Sequence, residues 1–284
     1  MTGQIPSDPK VLARLFANRG ISIDQLAFYN SPEFLAAERA DGSFLEFYGA
    51  LVRARPRDRI YDAHVRSVVP RMAGIIADEI IQDGQLGVCI DASMMLTKML
   101  EEQGIWCYAA KGALSVSAPE LDDPTHFWMI DDEPVAGHVW VVAPPFEIVD
   151  VTLQGQLWQR GEAAMLPKTV VLETAKRITP EPQDFLSVSV LERERRRLGP
   201  LPRDFHMKAV PGLARPASFF PSWEVTVGAT TLRYASASIT VSDGPSLHAI
   251  TSRRWSGRLA GELYDEVVRP ALQADHPSPS KAQF

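Results

Sequence analysis

The sequence predicts an α+β protein: a helical N-terminal region, then a cysteine-bearing central helix packed on an antiparallel β-sheet. Three observations carry that prediction. Apolar residues between positions 8 and 104 recur with a helical period. From Ile105 to Thr152 the period shifts toward two, with β-branched and aromatic residues between turn signals. Between these halves, Gly87-Val88-Cys89 opens an apolar helix body that stops at Gly104, so a cysteine sits in the first turn of a helix.

Composition narrows the function classes. The chain has 284 residues, 45% hydrophobic and 23% charged, which is ordinary globular usage. Its net charge of −6, from 29 basic and 35 acidic residues, argues against a broad nucleic-acid surface. No apolar run reaches membrane-spanning length, and MTGQIPSDPK lacks a charged start followed by an apolar stretch, so a cytoplasmic location is expected. Two cysteines, Cys89 and Cys107, make no disulfide framework.

The elements follow in order. Residues 1–83 read as a helical region packed on the core, with pieces around Val11–Phe16 and Phe44–Leu51. A long stripe from Ile60 to Ile81 uses Tyr61, Val65, Val68, Met72, Ile75, Ile76 and Ile80; Pro70 is expected to kink or split it. Residues 84–180 read as the catalytic core: the cysteine helix, one or two strands in 105–117, and strands at 126–130, 135–142, 146–152 and 170–172. Residues 181–274 read as an extension. It has a charged helix at 183–198, an extended proline-rich connection at 199–221, a hairpin around Gly228 and a final helix at 259–272. The tail 275–284 is expected to be disordered. The run Arg193, Arg195, Arg196 and Arg197 reads as a solvated helix face.

The chemistry is placed by a hairpin. If Ala143-Pro144-Pro145 is a three-residue loop, Trp140 faces Ile148 and His138 faces Asp150. Opposed side chains have Cβ atoms roughly 4.5–5.5 Å apart, which suits a carboxylate orienting an imidazole. A slip of one residue would put the two on opposite faces. A thiolate at a helix N-terminus beside an imidazolium is a nucleophile, the histidine is its base and acid, and the carboxylate fixes the ring. The Cys89 N–H supplies one oxyanion donor, and Gln85 is the candidate for a second, against a surface role.

Taken together, Gly87-Val-Cys89, the helix to Gly104-Ile105, Gly137-His138-Val-Trp140 and Ile148-Val-Asp150-Val-Thr152 resemble the transglutaminase-like superfamily of the papain fold. The resemblance covers roughly residues 84–155. It implies a papain/transglutaminase-like fold with Cys89 as nucleophile, His138 as base and acid, and Asp150 as orienter. Arylamine N-acetyltransferases are more distantly similar, but Gln85-Leu86-Gly87 stands where their Arg-Gly-Gly usually precedes the cysteine. The implied activity is thioester formation at Cys89 with hydrolysis of an amide or peptide bond, by a protease, amidase or deamidase. Passage of the acyl group to an amine is the alternative, and a non-catalytic binding module on the same fold is a third reading. The expected partner is a protein, peptide or small amide substrate, without nucleic acid or membrane, and no cofactor or metal is called for.

Competing readings accompany each residue. Cys89 competes with a buried structural thiol, and Cys107 reads as core. His126 repeats the histidine-aromatic spacing in His126-Phe-Trp128 but lacks an aspartate across a short hairpin. Trp140, His126 and Trp128 are candidates for the cleft wall, against core packing. Asp91 is expected to point away from the thiol, because a carboxylate beside it would raise its pKa.

Overall fold

The shift from helical to two-residue periodicity marks the passage from a helical layer into a sheet. The computed structural model describes residues 5–134, 137–158, 162–209, 212–242 and 246–274. The N-terminal helices are α1 (Pro9–Ala17), α2 (Pro32–Ala40), α3 (Leu45–Ala54) and α4 (Arg59–Asp83), followed by α5 (Cys89–Glu102). Three start at side-chain caps, with Asp8, Ser31 and Asp58 accepting from the N–H of Lys10, Phe34 and Tyr61. Pro70 does not split α4, which runs unbroken for 25 residues. Pro70 and Arg66, four residues before it, are both exposed, so the carbonyl that loses its helical partner lies on the watered side.

Eight antiparallel strands curl into a half-barrel. They are β1 (Tyr108–Ser117), β2 (Thr125–Phe127), β3 (His138–Ala143), β4 (Phe146–Asp150), β5 (Val170–Leu172), β6 (Lys176–Ile178), β7 (Ser222–Val227) and β8 (Thr230–Thr240). The order is β5-β4-β3-β1-β8-β7-β6, with β2 also on β1. One edge of β1 carries β8; the other is shared, β3 pairing along 108–112 and β2 along 114–116. Gly112 stands at that changeover, where a Cβ would come within 1.9 Å of the Ala235 carbonyl oxygen. The chain therefore leaves the sheet after β2 and re-enters at His138.

Two helical layers cover the sheet. Tyr108, Ala110, Trp140, Ile148 and Tyr234 meet the aromatic cluster of Phe16, Phe28, Phe34 and Tyr48 from the N-terminal region. Cys107, Val141 and Val149 meet α4, α5 and the C-terminal helices through Ile76, Met95, Leu96 and Leu263. No helix among the described residues is long and apolar enough to cross a membrane.

Several expectations need correction. The stretch assigned to an extension supplies β7 and β8, and β8 is the long partner of β1, so a boundary at residue 180 does not divide the sheet. The helix expected over 183–198 is two helices, α6 (Pro182–Phe185) and α7 (Val188–Leu198). Leu186 bridges to Ile130 and Ser187 caps α7, which breaks the run. The connection at 199–221 folds into α8 (Phe205–Ala209) and α9 (Ala214–Phe219). The final helix comprises α10 (Ala260–Leu263), a π-helical turn (Tyr264–Val268) and α11 (Arg269–Ala274). Val135 and Ala136 of the expected strand, and the tail from Asp275, lie outside the described residues.

Candidate active site

Sequence puts a cysteine at the mouth of α5, and the fold brings β3 to it. Gly87 takes φ +69°, and its N–H donates to the Gly155 carbonyl at 2.8 Å, which holds the turn before the helix against the loop after β4. Val88, the N-cap, offers no side-chain hydrogen bond, so the first-turn N–H groups keep their positive field. Cys89 packs with Ala109 and Val139 and is 4% exposed. Ser93, one turn on, donates to the Val139 carbonyl at 3.1 Å and pins α5 to β3.

His138 and Asp150 meet as the hairpin argument requires, by a different register. The loop is the two residues Pro144-Pro145 closing Ala143 on Phe146, and an irregularity follows before Val141 pairs with Val149. Two residues of β4, Glu147 and Ile148, oppose Val142 alone, so the pairing lies two residues from the expected one. A two-residue shift preserves side-chain parity. His138 Nε2 and Asp150 Oδ2 are 2.7 Å apart, with both side chains wholly buried.

The carboxylate is held from every side. Oδ2 also accepts from the Tyr234 hydroxyl at 3.0 Å, and Oδ1 accepts from the N–H and hydroxyl of Thr152 at 2.9 and 3.0 Å. Gln156 Nε2 donates in turn to the carbonyl and hydroxyl oxygens of Thr152, both at 3.1 Å. Tyr234 and Gln156 were not foreseen. Tyr234 lies 84 residues from Asp150 on β8, and only the sheet order brings them together. For Thr152 a signal was available: an aspartate followed two residues on by threonine is a local turn pattern.

The electrostatics follow from these contacts. Burial, the largest influence on Asp150, raises its pKa, yet the charge and hydrogen bond of His138 and the donors of Thr152 and Tyr234 hold it below the usual value. Burial likewise opposes charge on His138, but Asp150 and then Cys89 push it up to about 10. For Cys89, burial raises the pKa; contact with His138, its positive charge and the Val139 N–H outweigh this and lower it. Nδ1 of His138 is buried and has no partner of full hydrogen-bonding geometry. Thiol and ring are close enough for each to shift the other's pKa, without a fully formed hydrogen bond between them.

The remaining candidates are placed elsewhere. Trp140 is 1% exposed, 6.2 Å from the His138 ring and edge-on to Tyr234; it backs the site from the core instead of walling a cleft. His126 pairs with Ser115 while Phe127 pairs with Leu114, so alternation turns His126 away from the face on which the Phe127 ring lies 6.3 Å from His138. His126 instead stacks on Trp128, whose Nε1 donates to the Gln183 carbonyl at 3.3 Å. His126 lines a separate polar cavity with Ser115, Arg233 and Asp184. Neither His126 nor Trp128 borders the thiol.

Gln85 is committed elsewhere. Its Nε2 donates to Asp83 and, at 2.9 Å, to the Arg254 carbonyl, while its Oε1 accepts from Arg253. It is not an oxyanion donor in this arrangement, and the Cys89 N–H stays the candidate. Asp91 accepts from Arg253 Nε at 2.9 Å, directed away from the thiol as expected. His64 meets the Gln103 carbonyl, His206 stacks on Phe185 and His248 pairs with Asp265; His276 lies outside the described residues. No family model, no curated protein and no solved structure matches this chain.

Proposed function

We propose that this protein is a cysteine-dependent acyl-transfer enzyme of papain/transglutaminase-like architecture. In this reading Cys89 is the nucleophile, His138 the base and acid, and Asp150 the orienter, and the reaction is hydrolysis of an amide or peptide bond. The single observation that carries it is the buried His138–Asp150 pair at 2.7 Å beside a thiol whose pKa it lowers. The thiolate attacks the carbonyl carbon, and the oxyanion forms near the uncapped first-turn N–H of Cys89. His138 gives its proton to the departing amine and leaves a thioester. The neutral ring then takes a proton from water, hydroxide adds to the thioester carbon, and the C–S bond breaks to release the carboxylic acid and restore the Cys89 thiolate beside the His138 imidazolium. An amine in place of water gives transamidation by the same steps.

A second reading is favoured by one observation: Cys89 is only 4% exposed, which suits a binding module whose site is closed. Limiting iodoacetamide on the native protein separates the two. The enzyme reading expects selective labelling of Cys89 below pH 7, loss of that labelling in His138→Ala, and a Cys89 thioester trapped by hydroxylamine after exposure to an activated ester. Equal, slow labelling of Cys89 and Cys107 would overturn it.

A further inference from the structure

At the far end of α5, a second cavity of about 460 Å³ opens between α1, the segment at Ile23, the end of α3 and Trp106. Cys89 begins α5 and Trp106 follows its end, so the two sites stand about 20 Å apart by the rise of a 14-residue helix. Its walls are apolar: Pro9, Ala13, Ile23, Leu51, Pro56 and the Trp106 indole. One guanidinium, that of Arg55, is set into them. It lies 4.2 Å from the centre of the Trp106 ring and 5.3 Å from that of Tyr61.

Among the described residues, no carboxylate is paired with this cation. Its Nη1 is buried with no hydrogen-bond partner among the described residues, and after burial the Tyr61 hydroxyl is the main group acting on its charge. Asp24 also lines the cavity, but its carboxylate accepts from Ser22 at 2.9 Å; the neighbouring Arg57 is paired with Asp62. A half-buried guanidinium is normally matched by an acid, because an unpaired donor inside the protein forfeits its water without compensation. Two aromatic faces fix its plane, and a planar fork in a fixed plane suits one carboxylate. Lys10 at the rim adds a second positive charge. A phosphate dianion would call for more donors, and the N-terminus of α1 is already occupied by the Asp8 cap.

We propose that this cavity binds a small monocarboxylate with an apolar body, the carboxylate on Arg55 and the hydrocarbon against Trp106, Leu51 and Ile23. The site is independent of the cysteine chemistry. Calorimetric titration of the full chain with octanoate, octan-1-ol and octyl phosphate tests it. Octanoate binds one to one and more tightly than the other two. Arg55→Gln weakens octanoate by about tenfold or more and leaves octan-1-ol unchanged. Ala13→Trp fills the cavity and removes binding of both, with the melting temperature as the check on folding. If Arg55→Gln does not fold, Arg55→Lys keeps the charge and loses the fork, and it must also weaken octanoate. Absence of octanoate binding, equal affinity for octanoate and octan-1-ol, tighter binding of octyl phosphate, or indifference to the Arg55 substitution overturns the proposal. Labelling of Cys89 stays the same with octanoate bound, so the outcome does not depend on the fate of the triad.

Discussion

The two ends of α5 each carry a buried cluster of charges beside a cysteine, and the clusters are built to different ends. At the C-terminal end, Lys98 pairs with Glu101 at 2.9 Å, and Tyr29 donates to the other Glu101 oxygen at 2.7 Å. The Lys98 ammonium sits 4.8 Å from the centre of the Tyr29 ring. Both carboxylate oxygens are used, and Cys107 nearby is pushed well above its usual pKa, chiefly by burial and then by Glu101. At the N-terminal end, Asp150 is satisfied as fully, but the cation it holds keeps one nitrogen without a partner next to the thiol. Burial raises both thiols; only Cys89 has a cation strong enough to reverse the sign. A closed charge cluster holds a fold together, and one with an unpartnered nitrogen beside a thiol is the arrangement the proposed chemistry needs.

The difference can be broken in order of effect. His138→Ala should make Cys89 resemble Cys107. With burial left alone, the alkylation midpoint moves from below 9.0 to above it, and any acyl-transfer rate at neutral pH falls by roughly 10²–10⁴-fold. Lys98→Met is the reciprocal change. It strands Glu101 in the core and costs about 3–5 kcal/mol of stability by urea unfolding, with the Cys89 midpoint unmoved. An equal shift of the Cys89 midpoint in both variants would erase the distinction.

Third comes pH. The pKa of Asp150 is depressed, so its stabilisation is present above the unfolded value near 3.8 and is lost as pH falls through the lower folded value. The pKa of His138 is raised, so its contribution is complete below about 6.5 and is lost as pH rises through about 10. Stability followed by denaturant titration should therefore decline at both extremes, and Asp150→Asn should flatten both limbs. The smallest effect is Tyr234→Phe, which removes one of four donors to Asp150. It costs about 0.5–1.5 kcal/mol and changes the Cys89 labelling rate far less than His138→Ala.

Much of this arrangement is legible in local pattern. The Gly87–Gly104 helix, the hairpin through Pro144 and the side-chain parity that puts His138 and Asp150 on one face all come from periods and turn residues. The register missed by two, because the irregularity near Ile148 leaves no mark in the alternation, and parity survived because two is the strand period. Helices α8 and α9 were hidden by the prolines around them, and β6 by having three residues and an exposed face. The turning away of His126 depends on which residue of β1 it pairs with. Tyr234 is legible only from the strand order, because its own neighbours read as an ordinary hairpin.

That strand order also sets a schedule. Ribosomes deliver Cys89, His138 and Asp150 long before β8, which supplies both the long edge partner of β1 and the hydroxyl on Asp150. Until residues 230–240 emerge, β1 presents an unpaired edge and the carboxylate lacks its Tyr234 donor. The nascent chain therefore holds Cys89, His138 and Asp150 before the full set of donors to Asp150 is in place, and β8 completes the centre of the sheet.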